Sequence, residues 1–178
     1  MARDAPASPA IVLETERLIL RRLTVDDAPF ILELLNDPDW LKFIGDKGVR
    51  TLDAARDYLR KGPIAMYERH GFGLYLVELK AGLIPIGMCG LIKRDSLVDV
   101  DIGFAFLPAH RGQGYAHEST AAVLAHGKRD FGLKRIVAIA SPGNAKSIAL
   151  LEKSGMRMEK TVKLDGDDHD VVLYAIVL

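Results

Sequence analysis

The segment from Val98 to Ala140 restricts the fold of this chain more than any other part of its sequence. An apolar run over Val98–Leu107 predicts a strand, and apolar residues at helical spacing through Phe131 predict a helix after it. Arg135–Ala140 is nearly all apolar, which is typical of a buried strand parallel to the first. The segment therefore predicts one right-handed strand–helix–strand crossover.

The turn between that strand and that helix reads His110-Arg111-Gly112-Gln113-Gly114-Tyr115-Ala116. The first N–H groups of a helix have no partner within the helix, and the helix dipole attracts negative charge, so the turn predicts a phosphate site. A P-loop requires Gly-Lys-Ser/Thr, but Gly114 is followed by Tyr115-Ala116. A dinucleotide-binding fingerprint requires Gly or Ala where this chain has His117. Both of these common phosphate motifs are therefore excluded.

The rest of the chain predicts further strands and helices around this unit. Pattern and capping residues predict a strand over Ile11–Leu23, a helix capped by Thr24, a loop over Trp40–Gly48, a helix from Thr51 to about His70 interrupted at Gly62-Pro63, antiparallel strands over Phe72–Lys80 and Ile84–Lys93, a helix over Asn144–Ser154, and two last strands near Arg157–Leu164 and Val171–Leu178.

Length and composition limit the class of protein. The 178 residues predict one domain over 1–178, in which residues 1–10 form a flexible leader. Lys plus Arg and Asp plus Glu number 24 each, which gives no support for nucleic-acid or membrane-surface binding. Cys89 is the only cysteine, which fits a reducing cytoplasm, and the five histidines show no metal-binding spacing. We therefore expect a cytoplasmic protein without a metal.

Three stretches together resemble one known superfamily. They are Leu13-Glu14-Thr15-Glu16-Arg17-Leu18-Ile19-Leu20-Arg21, the turn at 110–116, and Asn144-Ala145-Lys146-Ser147-Ile148 followed by Leu151-Glu152-Lys153-Ser154-Gly155-Met156. In this order they resemble the GNAT superfamily of N-acetyltransferases, and most closely its ribosomal-protein-alanine (Rim-type) branch. The resemblance implies the GNAT α+β fold. In that fold a mostly antiparallel sheet splays at one parallel strand pair and carries helices on both faces.

The resemblance also implies acetyl-CoA as co-substrate and a set of residues that bind it. The backbone N–H groups of Arg111, Gly112, Gln113, Gly114, Tyr115 and Ala116 would hold the CoA diphosphate. Phe106 and Leu107 would pair with the pantetheine arm as an added strand does, and Asn144 would bond it from the opposite wall. An N–H near Ala105 would stabilise the oxyanion, and a bulge near Gly103 would open the sheet.

The resemblance places catalysis at Asp101 and Ser147. Asp101 stands in an apolar strand where many relatives carry a catalytic carboxylate; as an alternative, it is a hydrogen-bonded strand residue. Asp99, two residues before it, would share its face and either perturb its pKa or bind a cationic amine. Many relatives carry a tyrosine acid where this chain has Leu151, so Ser147 takes that place. The alternative for Ser147 is capping of its helix.

The acceptor and the class of activity stay open at this stage. The expected acceptor is a primary amine, either a protein N-terminal α-amine or a small amine such as a polyamine, an amino acid or an aminoglycoside-like compound. Two other hypotheses about the function are a CoA-binding regulator without turnover and a nucleotide-binding module. An exposed edge in the last two strands makes a homodimer plausible beside a monomer.

Overall fold

A computed structural model of the protein describes residues 8–178. Eight strands form one sheet in the order β1-β2-β3-β4-β5-β6-β8-β7, and every neighbouring pair is antiparallel except β5 and β6. The strands are β1 (Ile11–Glu14), β2 (Leu18–Arg22), β3 (Leu74–Leu79), β4 (Ile84–Ile92), β5 (Asp101–Phe106), β6 (Arg135–Ala140), β7 (Arg157–Lys163) and β8 (Asp170–Val177).

Helices cover both faces of the sheet. They are α1 (Ala28–Leu35), α2 (Pro38–Phe43), α3 (Leu52–Leu59), α4 (Ala65–His70), α5 (Tyr115–Phe131) and α6 (Ala145–Lys153). On one face α5 buries Val123 and Leu124 against a core that includes Leu91 and Ile136. On the other face α1 to α3 bury a second core that includes Met88. The predicted GNAT α+β architecture is confirmed.

One predicted strand proved to be two. Ile11–Leu23 divides into β1 and β2 because Thr15 forms a tight turn, in which its hydroxyl accepts a hydrogen bond from the Leu18 N–H at 3.0 Å. The two strands then pair antiparallel. Of the predicted leader, the part before residue 8 lies outside the described residues. The Ala10 carbonyl accepts a 3.0 Å hydrogen bond from the Arg22 N–H, so the chain is already paired with β2 at residue 10.

The predicted loop over Trp40–Gly48 is wrong in its first part, because α2 runs through Phe43. Asp37 caps this helix by accepting a 3.3 Å hydrogen bond from the Trp40 N–H, and Pro38 takes the first helical position. Asp followed by Pro therefore starts a helix here rather than only ending the previous one. The predicted interruption at Gly62-Pro63 is confirmed as a π-helical turn over Arg60–Ile64 between α3 and α4.

The sheet opens without the predicted bulge at Gly103. Gly103 pairs with Gly90 in a ladder between β4 and β5 that keeps its register from Asp101 to Phe106. The other strand that pairs with β4, β3, does have a shift in register against it, between Val77 and Glu78. The opening is therefore confined to the pair β5 and β6.

The sheet edge expected from the last two strands is β7 alone, because β8 lies between β6 and β7. Most of the β7 side chains are exposed and several are charged, which discourages pairing with another strand. None of the helices in residues 8–178 has the length and apolar character needed to cross a membrane.

Cys89 lies in β4 with no exposed surface, and burial raises the pKa of its thiol to about 12. We expect the folded protein to react with a disulfide reagent such as DTNB at pH 8 roughly 1000-fold more slowly than the unfolded chain, since only the thiolate reacts. The measurement compares absorbance traces with and without guanidinium, with glutathione as the reference thiol. Similar rates for both states would contradict the burial of this residue.

Candidate active site

The candidate site is the gap that opens between β5 and β6. The two strands pair at a single position, Asp101 opposite Val137, where the Val137 N–H donates to the Val100 carbonyl at 3.0 Å. Beyond that bridge β6 pairs only with β8. Phe106, at the open end, lies about 17 Å along the strand from Asp101. The gap is therefore closed at Asp101 and open toward the turn that precedes α5.

Backbone groups of β5 line one wall of this gap. The Leu107 N–H donates to the Ile86 carbonyl at 2.9 Å, and residues in an antiparallel ladder alternate in the side to which they bond. The N–H and C=O groups of Phe104 and Phe106 consequently face the gap. The two aromatic rings pack into the core beneath α5, which fixes this wall.

The same register corrects two sequence-based assignments. The Leu107 N–H is already used by Ile86 and is not available to a ligand. The Ala105 N–H points to Met88 in β4, so it does not face the gap. The Phe104 and Phe106 N–H groups replace it as candidate oxyanion donors. The sequence could not reveal which backbone N–H groups face the gap. In a strand these groups alternate between the two sides, and the side of each is known only once one inter-strand hydrogen bond has been located.

The turn at the open end presents unpaired N–H groups. Gly112 and Gly114 have φ values of 73° and 84°, which glycine adopts without strain. The first helical bond of α5 runs from the Glu118 N–H to the Gly114 carbonyl at 3.0 Å. The N–H groups of Tyr115 and Ala116 therefore have no partner within the helix, and the positive end of the 17-residue helix lies beside them. This arrangement suits a phosphate.

The Arg111 side chain serves the fold rather than the turn. Its guanidinium donates to the Phe106 carbonyl at 2.9 Å, to Asp39 at 2.6 Å and to Asp37 at 2.7 Å. These bonds tie the start of α2 to the end of β5. Arg111 can therefore contact a ligand through its backbone, whereas the charge of its side chain is offset by the two aspartates. The motif alone does not reveal this.

Asn144 and Ser147 lie on the opposite side of the gap, just after β6. The Asn144 side-chain oxygen accepts a 3.2 Å hydrogen bond from the Ser147 N–H and so caps α6. The capping that we considered for Ser147 is thus performed by Asn144. The half-buried Ser147 hydroxyl donates to no other residue within 8–178. Leu151, where many relatives carry a tyrosine, is buried in the core and offers no proton.

Asp101 is 1% exposed and lies at the closed end of the gap. The Arg94 Nε donates to both of its carboxylate oxygens, at 3.1 and 3.3 Å. Burial raises the pKa of Asp101, and the positive charge of Arg94 opposes that shift. Arg94 was missed by the sequence analysis because it stands in a polar loop with no pattern to link it to β5.

Asp99 does not join Asp101. Its carboxylate accepts a 3.1 Å hydrogen bond from the Arg135 Nε, and the other two nitrogens of that guanidinium bond Glu159 at 2.7 and 2.6 Å. Each aspartate therefore has its own cation. The paired-carboxylate hypothesis finds no support in these contacts.

The gap and the turn together fit a CoA thioester. An extended arm entering at the turn would meet the backbone groups of Phe104 and the N–H of Phe106, whose carbonyl is bonded by Arg111, and its phosphates would meet the N–H groups at the start of α5. Within residues 8–178, His, Cys, Asp and Glu side chains form no group of three or more that could hold a metal. The assignment of individual residues to CoA remains a prediction.

The fold and the site define an acetyltransferase. The chain belongs to the acetyltransferase (GNAT) domain family, whose model matches residues 17–157. The Bacillus subtilis protein YoaA, described as an uncharacterized N-acetyltransferase, is 27% identical over 172 residues, which are 93% of this chain and 96% of that protein.

Solved structures share the fold. An acetyltransferase from Agrobacterium tumefaciens is similar with a TM-score of 0.80 at 24% identity, covering 99% of this chain and 100% of the other. RimL, a ribosomal L7/L12 α-N-protein acetyltransferase, is similar with a TM-score of 0.81 at 21% identity, covering 99% of both chains. A complex of RimL with coenzyme A gives a TM-score of 0.76 at 21% identity, covering 95% of this chain and 98% of that one. The resemblance to the GNAT superfamily is confirmed, and its structural neighbours include Rim-type enzymes.

Proposed function

We propose that the protein transfers the acetyl group of acetyl-CoA to a primary amine, and that this acceptor is the α-amine of a protein N-terminus. One observation carries the proposal. A parallel strand pair separates beyond a single bridge, beside a helix N-terminus with free N–H groups. Such a gap can take an extended thioester arm at the open end and bring its reactive carbon toward Asp101.

The chemistry is a direct attack in a ternary complex. The amine nitrogen attacks the thioester carbon, a C–N bond forms, and the oxyanion receives a hydrogen bond from the Phe104 N–H, which is the gap-facing donor nearer to Asp101. Collapse breaks the C–S bond. The amine proton passes to Asp101, directly or through water, and the leaving thiolate receives a proton relayed by the Ser147 hydroxyl. Cys89 takes no part, since it is buried in β4.

The charge state of Asp101 favours an α-amine. Even with its pKa raised by burial, the Asp101 carboxylate is a far weaker base than an amine, and Arg94 opposes that rise, so an acceptor that loses its proton readily is favoured. Deprotonating an α-amine of pKa near 8 at pH 7 costs about 1.4 kcal/mol, whereas an amine of pKa near 10.4 costs roughly 4.6 kcal/mol. The Rim-type neighbours act on ribosomal proteins by their own description, which supports the same class of acceptor.

A second candidate is a CoA-binding regulator without turnover. Leu151 favours it, because a buried leucine replaces the tyrosine that many relatives use as the acid. This candidate predicts CoA binding at the same gap and no transfer to any amine.

We expect mass spectrometry to reveal one added acetyl group on peptide α-amines when the purified protein is incubated with acetyl-CoA and a pool of acceptors. The pool contains peptides with varied N-termini, the same peptides with blocked α-amines and free lysines, polyamines and amino sugars. The blocked peptides are the matched control for α-amine selectivity.

Acetylation of small amines alone would retain the N-acetyltransferase assignment and contradict the α-amine acceptor. Absence of any product, with CoA still bound in a calorimetric titration, would support the regulator. Absence of CoA binding would contradict both candidates. Comparable affinity for ATP or NAD would support the nucleotide-binding module instead.

A further inference from the structure

The turn between β1 and β2 reaches across the sheet to the phosphate-binding turn. The Glu118 carboxylate accepts three hydrogen bonds from it: from the Thr15 hydroxyl at 2.5 Å, the Arg17 N–H at 2.9 Å and the Arg17 Nε at 2.7 Å. Burial alone would raise the pKa of Glu118, but the bonds from Thr15 and Arg17 outweigh it and hold that pKa below its ordinary value. Glu118 is therefore an anion that fixes Arg17 in place.

Arg17 also contacts the turn itself. Its NH1 donates to the Gln113 carbonyl at 2.9 Å, and its guanidinium lies over the Tyr115 ring at 4.4 Å from the ring centre. Its NH2 would be only 3.2 Å from a Cβ placed on Gly114. The guanidinium thus lies against the two residues that lead into α5.

The NH2 group of Arg17 keeps its donors free. A guanidinium has five N–H donors, and those of Arg17 that bond residues within 8–178 belong to Nε and NH1. The side chain is 42% exposed, so a ligand can reach NH2. Arg111, the arginine inside the turn, differs in that all three of its guanidinium nitrogens donate to other residues and two carboxylates, those of Asp37 and Asp39, offset its charge.

We propose that the NH2 group of Arg17 binds a phosphate oxygen of the CoA diphosphate and adds the charged contact that Arg111 does not supply. The proposal rests on the proposed function, because it takes CoA as the ligand. It also gives a role to the Leu13–Arg21 stretch, which contains Thr15 and Arg17. Thr15 bonds Glu118, and Glu118 holds the Arg17 guanidinium at the turn. Arg17 is thus a binding residue, and Thr15 and Glu118 are positioning residues.

The test compares two ligands by isothermal titration calorimetry. CoA carries the phosphates, whereas S-acetylpantetheine has the same arm without any phosphate. We expect Arg17→Gln to weaken CoA binding about 10- to 100-fold, as for loss of a hydrogen bond to a charged group. Binding of S-acetylpantetheine should change less than about twofold, because that ligand carries no phosphate for Arg17 to bind.

Arg56→Gln is the matched control, because Arg56 is 40% exposed and, among residues 8–178, forms its ion pair with Asp53 on the same helix, α3. It should bind both ligands as the unmodified protein does. If Arg17→Gln fails to fold, Arg17→Lys takes its place. Lysine keeps the charge and loses the planar fork, so its loss should be smaller and again confined to CoA.

Equal losses for both ligands would overturn the proposal, because they would mean that Arg17 only shapes the turn. No loss for either ligand would overturn it as well. Failure of the unmodified protein to bind CoA would instead contradict the proposed function, which keeps the two failures distinguishable.

Discussion

Asp101→Asn is expected to lower kcat by about 10²- to 10⁴-fold, the usual contribution of a positioned proton acceptor. The substitution keeps the shape of the side chain at the closed end of the gap and removes its ability to take a proton. Affinity for CoA should be unchanged, because the groups that we propose to bind it, the turn before α5 and the gap-facing groups of Phe104 and Phe106, do not involve Asp101. The measurement is steady-state kinetics with the acceptor identified by mass spectrometry, beside a CoA titration.

Asp99→Asn is the matched control for this prediction. It is the same substitution two residues away, in an aspartate that has its own arginine partner, Arg135, outside the gap. Its kcat should stay within about threefold of the unmodified protein, as for a surface substitution away from the site. Equal effects of the two substitutions would mean that Asp101 acts through the fold and Arg94 rather than on the proton.

The pH dependence provides a second readout of Asp101. Burial raises the pKa of this carboxyl, so the fraction of ionised base falls at a higher pH than for a free aspartate. We therefore expect kcat/KM to fall on the acid side as Asp101 and the acceptor amine take up protons. In Asp101→Asn the decrease in kcat/KM that is caused by protonation of the carboxylate should disappear. The decrease that is caused by protonation of the acceptor amine should remain.

The sequence revealed the elements of the site better than their connections. The crossover, its parallel strand pair and the short helix that follows Asn144 were predicted correctly, because each depends on local periodicity or on residues a few positions apart. Arg17 and Glu118 are 101 residues apart in the chain, and Arg111 and Asp37 are 74 apart. Such contacts leave no periodic signal, so their roles could not be read from spacing.

Local chemistry also misled the sequence analysis where one motif has two meanings. Asp37-Pro38 ends α1 and at the same time begins α2, because aspartate caps a helix and proline fits its first turn. The N–H near Ala105 was chosen as the oxyanion donor from the resemblance. The direction in which each N–H of a strand points, however, depends on its register with the partner strand. The Leu107 bond to Ile86 assigns the odd-numbered residues of β5 to β4, which leaves Phe104 and Phe106 for the gap.

Gly90→Ala is expected to destabilise the protein by about 3 kcal/mol or more, which is at the upper end for overpacking of a core. A Cβ at this position would be 2.1 Å from the Gly73 carbonyl oxygen and 2.7 Å from the Leu74 Cα. Both are backbone atoms at the start of the neighbouring strand β3, so no side-chain rotation can relieve the contact. The chain must separate β4 from β3 to admit a methyl group.

The consequence should extend to the site, because Gly90 pairs with Gly103 on its other side and so supports β5. Thermal unfolding should show a Tm lower by roughly 10 °C, and urea unfolding a lower midpoint with an unchanged slope. Gly62→Ala is the matched control, since nothing lies within 4 Å of its Cβ position and alanine is preferred over glycine in helical backbone. Equal Tm values for the two variants would contradict the close approach of β3 and β4 on which the position of the gap depends.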